Sequence, residues 1–241
     1  MEFAYDLGGG STVVMKKYNV AATNTVVGRP YLKVADATGT GVVLGTTTGA
    51  VDFIGVNVDA PGTYAAGQNS DGSENAKVVT LIINPLAVYK ARLSGGATDG
   101  TALTARTVTT ASTDGLTVTH SAYDGSSPTM DEGTVWGYSG ANAGIARKVT
   151  SITSTAATVT LAFPRDDAVG DQYLYAPIYP TRSIVAQLTT NCTEIDASAE
   201  ISGDATLVVT EMLLNDLAGD GTRTSYAFIQ FCDSLFGATV T

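Results

Sequence analysis

The sequence has few of the residue types that carry enzyme chemistry. Its 241 residues include one histidine, His120, and two cysteines, Cys192 and Cys232. Enzymes usually need a proton-transfer group with a pKa near neutrality, an activated nucleophile or a clustered metal site. The sequence has no C-x-x-C pair and no cluster of cysteine with histidine, which argues against the common zinc sites. We therefore expect no enzyme activity, no catalytic residue, no metal and no cofactor.

Positive charge is also scarce. The chain has 13 basic residues against 23 acidic ones, which gives a formal net charge of -10. An acidic surface repels phosphate backbones, so we expect no nucleic-acid partner. No stretch reaches the roughly 18 to 20 apolar residues that span a bilayer, so we expect no membrane partner. Glu2 and Asp6 stand where a signal peptide would carry basic residues, and we expect synthesis in a cytoplasm.

The residues that are abundant favour sheets and tight turns. Hydrophobic residues make up 44% of the chain and 26 residues are glycine, while threonine and valine alternate over long stretches. Alternation with a period of two is typical of strands with one buried face. We predict a mainly β protein built from antiparallel sandwich or small-barrel modules, with an extended N-terminal arm.

Glycine-rich breaks divide the chain. Residues 1–17 are the predicted arm, with three glycines at 8–10 as a flexible joint. Residues 18–93 form one predicted β module and residues 94–241 a second, with the boundary near 93–100. A single continuous β domain is the alternative.

Three segments predict the clearest strand pairs. Residues 105–111 and 116–120 flank an Asp-Gly turn, which is a strong hairpin signal. Residues 145–179 contain three predicted short strands. Residues 206–214 and 222–231 predict a closing hairpin, although residues 211–217 are also compatible with a two-turn helix.

The candidate chemical groups favour structural roles. His120 ends an alternating strand, and we expect it at a surface or strand end. The carboxylate pairs Asp166/Asp167, Asp131/Glu132 and Asp216/Asp220 lie in predicted turns, where aspartate bonds to local backbone N–H groups. Carboxylate pairs can also hydrolyse glycosidic bonds, and the Asp216–Asp220 loop is a weak match to a calcium loop.

Cysteine and aromatic residues leave alternatives open. Cys192 and Cys232 are expected to be buried free thiols, with one disulfide as the alternative. Tyr173 and Tyr175 alternate along one predicted strand and should share a face. We expect these rings in a core or a subunit contact, and we keep a glycan platform that includes Trp136 as a minority interpretation.

One segment resembles a known class of proteins. Residues 146–171, ARKVTSITSTAATVTLAFPRDDAVGD, show a strand, a Thr/Ser turn, a second strand ending in Phe-Pro, and Val-Gly-Asp before a third. This pattern resembles β-rich modules of tailed-bacteriophage structural proteins. The closing hairpin, residues 206–231, is similar to the end of phage capsid decoration (cement) proteins.

The resemblance implies a protein that binds outside an HK97-type capsid shell. Its expected partners are the major capsid protein and further copies of itself, as a homotrimer, and its expected location is the exterior of the virion. No catalytic residue comes with the resemblance. The alternatives are another virion role, as a tail tube, head–tail adaptor or fibre knob, and a glycan-binding β module.

Overall fold

The fold is known from a computed structural model, and the described residues contain strands and no helix. The prediction of a mainly β protein is therefore confirmed. Accordingly, this part of the chain holds no helix able to cross a membrane. The described residues are 2–6, 13–19, 24–26, 31–34, 42–44, 53–58, 62–64, 78–83, 87–121, 133–179, 183–184, 188–190, 193–198, 207–217 and 223–231.

Strands follow one another along the whole described chain. The first eight are β1 (Glu2–Asp6), β2 (Met15–Asn19), β3 (Asn24–Val26), β4 (Tyr31–Val34), β5 (Val42–Leu44), β6 (Phe53–Asn57), β7 (Gly62–Tyr64) and β8 (Val78–Ile82). The next seven are β9 (Ala87–Ser94), β10 (Arg106–Thr110), β11 (Thr117–His120), β12 (Thr134–Ser139), β13 (Ala146–Ile152), β14 (Ala156–Val159) and β15 (Gln172–Ala176). The last four are β16 (Ser183–Ile184), β17 (Ile195–Asp196), β18 (Leu207–Leu217) and β19 (Arg223–Phe231).

These strands form three sheets and one barrel. The largest sheet has the order β1-β9-β19-β18-β16, and β17 adds to β9 in parallel. A second sheet has the order β2-β8-β6-β4-β5, and β3 pairs with β7. The barrel closes in the order β10-β11-β14-β13-β12-β15, so the chain leaves the largest sheet after β9, builds the barrel and returns.

The barrel has its own apolar interior. Successive side chains of a strand point to opposite faces, so every second side chain of a barrel strand points into the barrel. Small Val and Ala side chains fill most of this interior, together with three rings. The set is Val108, Val118, Val135, Val149, Ala157, Val159, Phe163, Tyr173 and Tyr175. Tyr173 and Tyr175 therefore share a face, as the sequence predicted.

The outer face of β12 and β15 is buried as well. Trp136 and Leu174 are cross-strand neighbours that point away from the barrel interior, and they are 0% and 5% exposed. They belong to a second core with side chains of β9 and β19. There Tyr89 and Phe231 meet edge to face, with ring centroids 5.8 Å apart. Strands β12 and β15 thus join the barrel to the largest sheet.

The predicted domain boundary lies in a loop with many hydrogen bonds. After β9, Gly100 N donates to Glu194 Oε2 at 2.8 Å and Thr193 Oγ1 donates to Asp99 Oδ2 at 2.6 Å. Residues 2–6 of the predicted arm pair with β9, and residues 15–19 pair with β8. The division into arm and two modules stays a prediction. The glycine joint at 8–10 lies outside the described residues.

The Asp-Gly turn between β10 and β11 is confirmed. Asp114 Oδ1 accepts hydrogen bonds from Ser112 Oγ at 2.8 Å, Leu116 N at 2.8 Å and Thr117 N at 3.1 Å. Gly115 follows with φ +64°, in the left-handed region that favours glycine. The closing hairpin is confirmed too, because β18 and β19 pair along their length. The alternative helix at 211–217 is wrong, because these residues continue β18.

We predict that Gly115→Ala destabilises the protein more than Gly170→Ala does. Both glycines have positive φ, but a Cβ at Gly115 would lie 2.6 Å from Phe163 O, whereas a Cβ at Gly170 would meet nothing within 4 Å. Backbone strain alone should lower the free energy of unfolding by about 1 to 2 kcal/mol at either site. The clash should add to this at Gly115. Urea unfolding of the two variants measures the difference, and equal losses would contradict the geometry.

Candidate functional site

His120 lies at the end of β11, as predicted, but it is not at the surface. Its exposed fraction is 1%. Its ring centroid is 5.3 Å from that of Tyr175, and Nδ1 lies 2.9 Å from Ser121 O. Burial lowers the pKa of His120, and the nearby charge of Arg106 lowers it further, although the Ser121 carbonyl acts in the opposite sense. The lowered pKa favours the neutral imidazole, and the ring lies inside one end of the barrel.

The pair Asp166/Asp167 is split by the fold. Asp166 is exposed and Asp167 is 4% exposed. Both residues lie in the connection between β14 and β15, where the turn itself comes at residues 169–170. However, Asp167 bonds mainly to side chains rather than capping local N–H groups, which the sequence interpretation had not anticipated.

Asp167 belongs to a buried polar cluster with Asn142 and Tyr173. Asn142 and Tyr173 are both 0% exposed. Asp167 Oδ1 accepts hydrogen bonds from Tyr173 Oη and from Asn142 Nδ2, the latter at 2.9 Å. Asn142 Nδ2 also lies 2.9 Å from Arg165 O and 3.0 Å from Tyr173 Oη. The cluster ties the loop before β13 to the loop before β15.

This cluster has more acceptor atoms than donors. Asp167 Oδ2 and Asn142 Oδ1 are buried and accept no hydrogen bond. Burial raises the pKa of Asp167, and the charges of Asp171 and Asp166 raise it further, against the lowering effect of the Tyr173 and Asn142 hydrogen bonds. Burial and the Asp167 carboxylate raise the pKa of Tyr173. The cluster therefore favours a proton on Asp167.

No sequence signal could have identified Asn142. It lies in the segment Ser-Gly-Ala-Asn-Ala-Gly, where asparagine is an ordinary turn residue. Its partner Asp167 is 25 residues away along the chain. Gly137 packs so closely that a Cβ there would lie 2.1 Å from Asn142 O. The cluster depends on the barrel closing around it.

The remaining predicted sites come together nowhere in the described structure. Asp216 lies within β18 rather than in a loop, so the predicted start of that loop is wrong. Asp131, Glu132, Asp220, Cys192 and Cys232 lie outside the described residues. The residues that are described contain no group of three His, Cys, Asp or Glu side chains placed to hold a metal ion.

The aromatic side chains weighed as a glycan platform are buried. Trp136 and Tyr173 are 0% exposed, and Tyr175 is 5% exposed. Stacking on a sugar needs an accessible ring face, which these residues do not offer. The expectation of rings in a core is confirmed for Tyr173 and Tyr175.

The barrel presents apolar side chains and a groove on its outside. Leu116, Leu161 and Val169 are 40%, 63% and 68% exposed. Beside Leu161, a groove of about 330 Å³ separates the barrel from β18. Arg147 and Lys148 are among its lining residues, and none of the described residues that line it is acidic.

Comparisons with known proteins give no relative. No protein-family model, no curated protein and no solved structure matches this chain.

We predict that Asp167→Asn stabilises the protein at neutral pH. The pKa of Asp167 is raised in the folded state, so the folded protein binds this proton more tightly than the unfolded chain does. The tighter binding stabilises the folded protein at low pH, and this stabilisation is lost as pH rises through the raised pKa. The variant carries no such titration, so its free energy of unfolding at pH 7 should be higher than that of the parent protein.

Denaturant unfolding from pH 4 to pH 7 measures this difference, with the exposed Asp166→Asn as the matched control. The stability gap between Asp167→Asn and the parent should widen as pH rises, while the control should track the parent. A variant that is less stable at pH 7, with an unchanged pH dependence, would contradict the assignment.

Proposed function

We propose that this chain is a structural protein of a tailed-phage virion that binds the outside of the capsid and stabilises the shell by bridging capsomers. The resemblance of residues 146–171 supports this proposal. In the structure this segment forms β13, β14 and the loop that leads to β15. The proposed partners are the major capsid protein and further copies of this chain in a homotrimer.

The observation that carries the proposal is the contrast between the barrel's interior and its outer surface. One core buries the side chains that point into the barrel, and a second core buries the outer face of β12 and β15. Leu116, Leu161 and Val169 nevertheless remain exposed. Covering such side chains contributes about 25 cal/mol per Å² of apolar area removed from water. A partner that covers them gains that energy without any rearrangement of the barrel.

Weak individual contacts suffice for this role. On a closed shell each copy meets several neighbours, so the second contact forms at a high effective concentration. A rigid barrel adds to this effect because little conformational entropy is lost when it docks.

The experiment is to add the purified chain to expanded capsids that lack it. The proposal expects saturable binding and a higher temperature of capsid disruption. Copy number in the particle separates decoration from an adaptor or fibre knob, because a shell protein is present in hundreds of copies. Ring formation by the purified chain would instead favour a tail tube. A chain that neither binds nor stabilises capsids would refute the proposal.

We predict that Val169→Asp and Leu116→Asp each weaken capsid binding by about tenfold or more, because a buried unpaired carboxylate costs more than the lost apolar contact. Val169 is 68% exposed, so Val169→Asp should change the free energy of unfolding by less than about 0.5 kcal/mol. Leu116 is 40% exposed, so Leu116→Asp should cost more, because part of its side chain is packed in the folded protein. Ser154→Asp, exposed in the turn between β13 and β14, is the matched control. Co-sedimentation with capsids measures the binding, and unchanged affinity in both variants would place the contact elsewhere.

A further inference from the structure

The barrel has two sides that differ in their surroundings. Strands β12 and β15 pack their outer face against the largest sheet. Strands β10, β11, β14 and β13 are neighbours, in this order, around the rest of the barrel. Each of these four strands sends one valine into the barrel, and the residues on either side of that valine point outward. The outward side of these four strands is therefore a sheet face of its own.

Threonine dominates this outward face. The four inward-pointing valines are Val108, Val118, Val149 and Val159. Eight residues flank them, and seven of the eight are threonine. We call these seven residues the threonine face: Thr107, Thr109, Thr117, Thr119, Thr150, Thr158 and Thr160. Thr117 and Thr158 are direct cross-strand partners. Four of the seven side chains are exposed and three are half-buried, so the face is accessible to a partner.

The threonine face carries no charge. The eighth flanking residue, Lys148, has its Nζ 5.5 Å from the centroid of the Tyr179 ring, beside the groove. The whole chain, by contrast, has 13 basic and 23 acidic residues and a formal net charge of -10. Two copies of such a chain repel each other where acidic surfaces meet. The threonine face is a surface over which two copies meet without that repulsion.

Hydroxyl groups of the face are already satisfied within the sheet. Thr119 Oγ1 donates to Thr110 O at 2.8 Å. Thr150 Oγ1 donates to Thr158 O at 3.1 Å. Covering these hydroxyls leaves neither donor unpaired, so the polar cost of burying them is low. Each threonine also has a methyl group, whose removal from water is favourable. The face is thus suited to packing against another protein surface.

We propose that the threonine face packs against the same face of a second copy of this chain. A two-fold contact brings one surface patch against itself, so the patch has to be compatible with its own chemistry. An uncharged face of threonines meets this requirement, and an acidic face does not. This inference does not depend on the capsid proposal, and a two-fold contact leaves other surfaces for the proposed homotrimer.

The size of the face determines the strength of the contact. Four strands about 4.8 Å apart, each contributing about four residues with a rise of about 3.3 Å, cover roughly 250 Å². Stable complexes bury about 800 Å² per partner. The contact is therefore weak between two free copies. It becomes persistent where other contacts hold the copies close together, because their effective concentration is then high.

A concentration series of the purified chain tests the proposal through its backbone amide chemical shifts. Amides of β10, β11 and β14 should shift as the protein concentration rises, while those of β9 and β19 should not. Added salt should increase the shifts at a given concentration, because it screens the repulsion between two acidic molecules. A contact held by opposite charges would weaken with salt instead, which would contradict the proposal.

Charge variants at one position test which surfaces meet. Thr158→Asp and Thr158→Lys each place like charges on both sides of the contact, so each should self-associate about fivefold more weakly than the parent protein. An equimolar mixture of the two variants should associate at least as tightly as the parent, because opposite charges then meet. This recovery also requires both variants to be folded. Ala102→Asp and Ala102→Lys, exposed in the loop after β9, are the matched controls and should associate as the parent does.

Three results would overturn the inference. The first is a set of amide shifts that stays constant with protein concentration even at high salt. The second is a set of concentration-dependent shifts confined to residues outside β10, β11, β13 and β14. The third is a mixture of the two Thr158 variants that associates no more tightly than either variant alone.

Discussion

The structure depends on the burial of strands β12 and β15 on both faces. Inward, they place Val135, Tyr173 and Tyr175 in the barrel core. Outward, they place Trp136 and Leu174 in the core shared with the largest sheet. Thr134 adds a polar link, since its Oγ1 donates to Ile178 O at 2.5 Å. Without this double burial, the barrel would be connected to the sheet mainly by the chain entering and leaving it. Because of this double burial, the barrel and the largest sheet share the core that contains Trp136 and Leu174.

The polar groups inside the barrel have a related role. Asn142, Asp167 and Tyr173 join the loop before β13 to the loop before β15 through side-chain hydrogen bonds. A buried carboxylate without a basic partner is costly when ionised, and a proton removes that cost. The cluster therefore links the two loops inside the closed barrel, where all three side chains are almost fully buried.

The local parts of the fold were predictable from the sequence. Asp114 and Gly115 predicted the first barrel hairpin, because an Asp-Gly pair between two segments of alternating hydrophobicity is a strong hairpin signal. The alternation of Tyr173 and Tyr175 gave their common face. Which strands pair across the barrel was not predictable: β15 pairs with β10 and β12. These contacts span up to 67 residues along the chain, as for Arg106 with Tyr173. The burial of His120 and Asp167 follows from that closure. The sequence alone therefore predicted only a surface or strand end for His120 and a turn for Asp167.

These features describe a molecule suited to contact with other proteins. Its two cores are filled by its own side chains, while Leu116, Leu161 and Val169 of the barrel remain exposed. The barrel and the largest sheet share one core, so the proposed contact with a partner requires both to be folded.

Native-state hydrogen exchange of the intact protein tests this most directly. If double burial of β12 and β15 unites the barrel and the sheet, the most protected amides of β12 and β13 and those of β9 and β19 should open with the same free energy and the same denaturant dependence. Barrel amides that open at a clearly lower free energy, while β9 and β19 stay protected, would contradict the account.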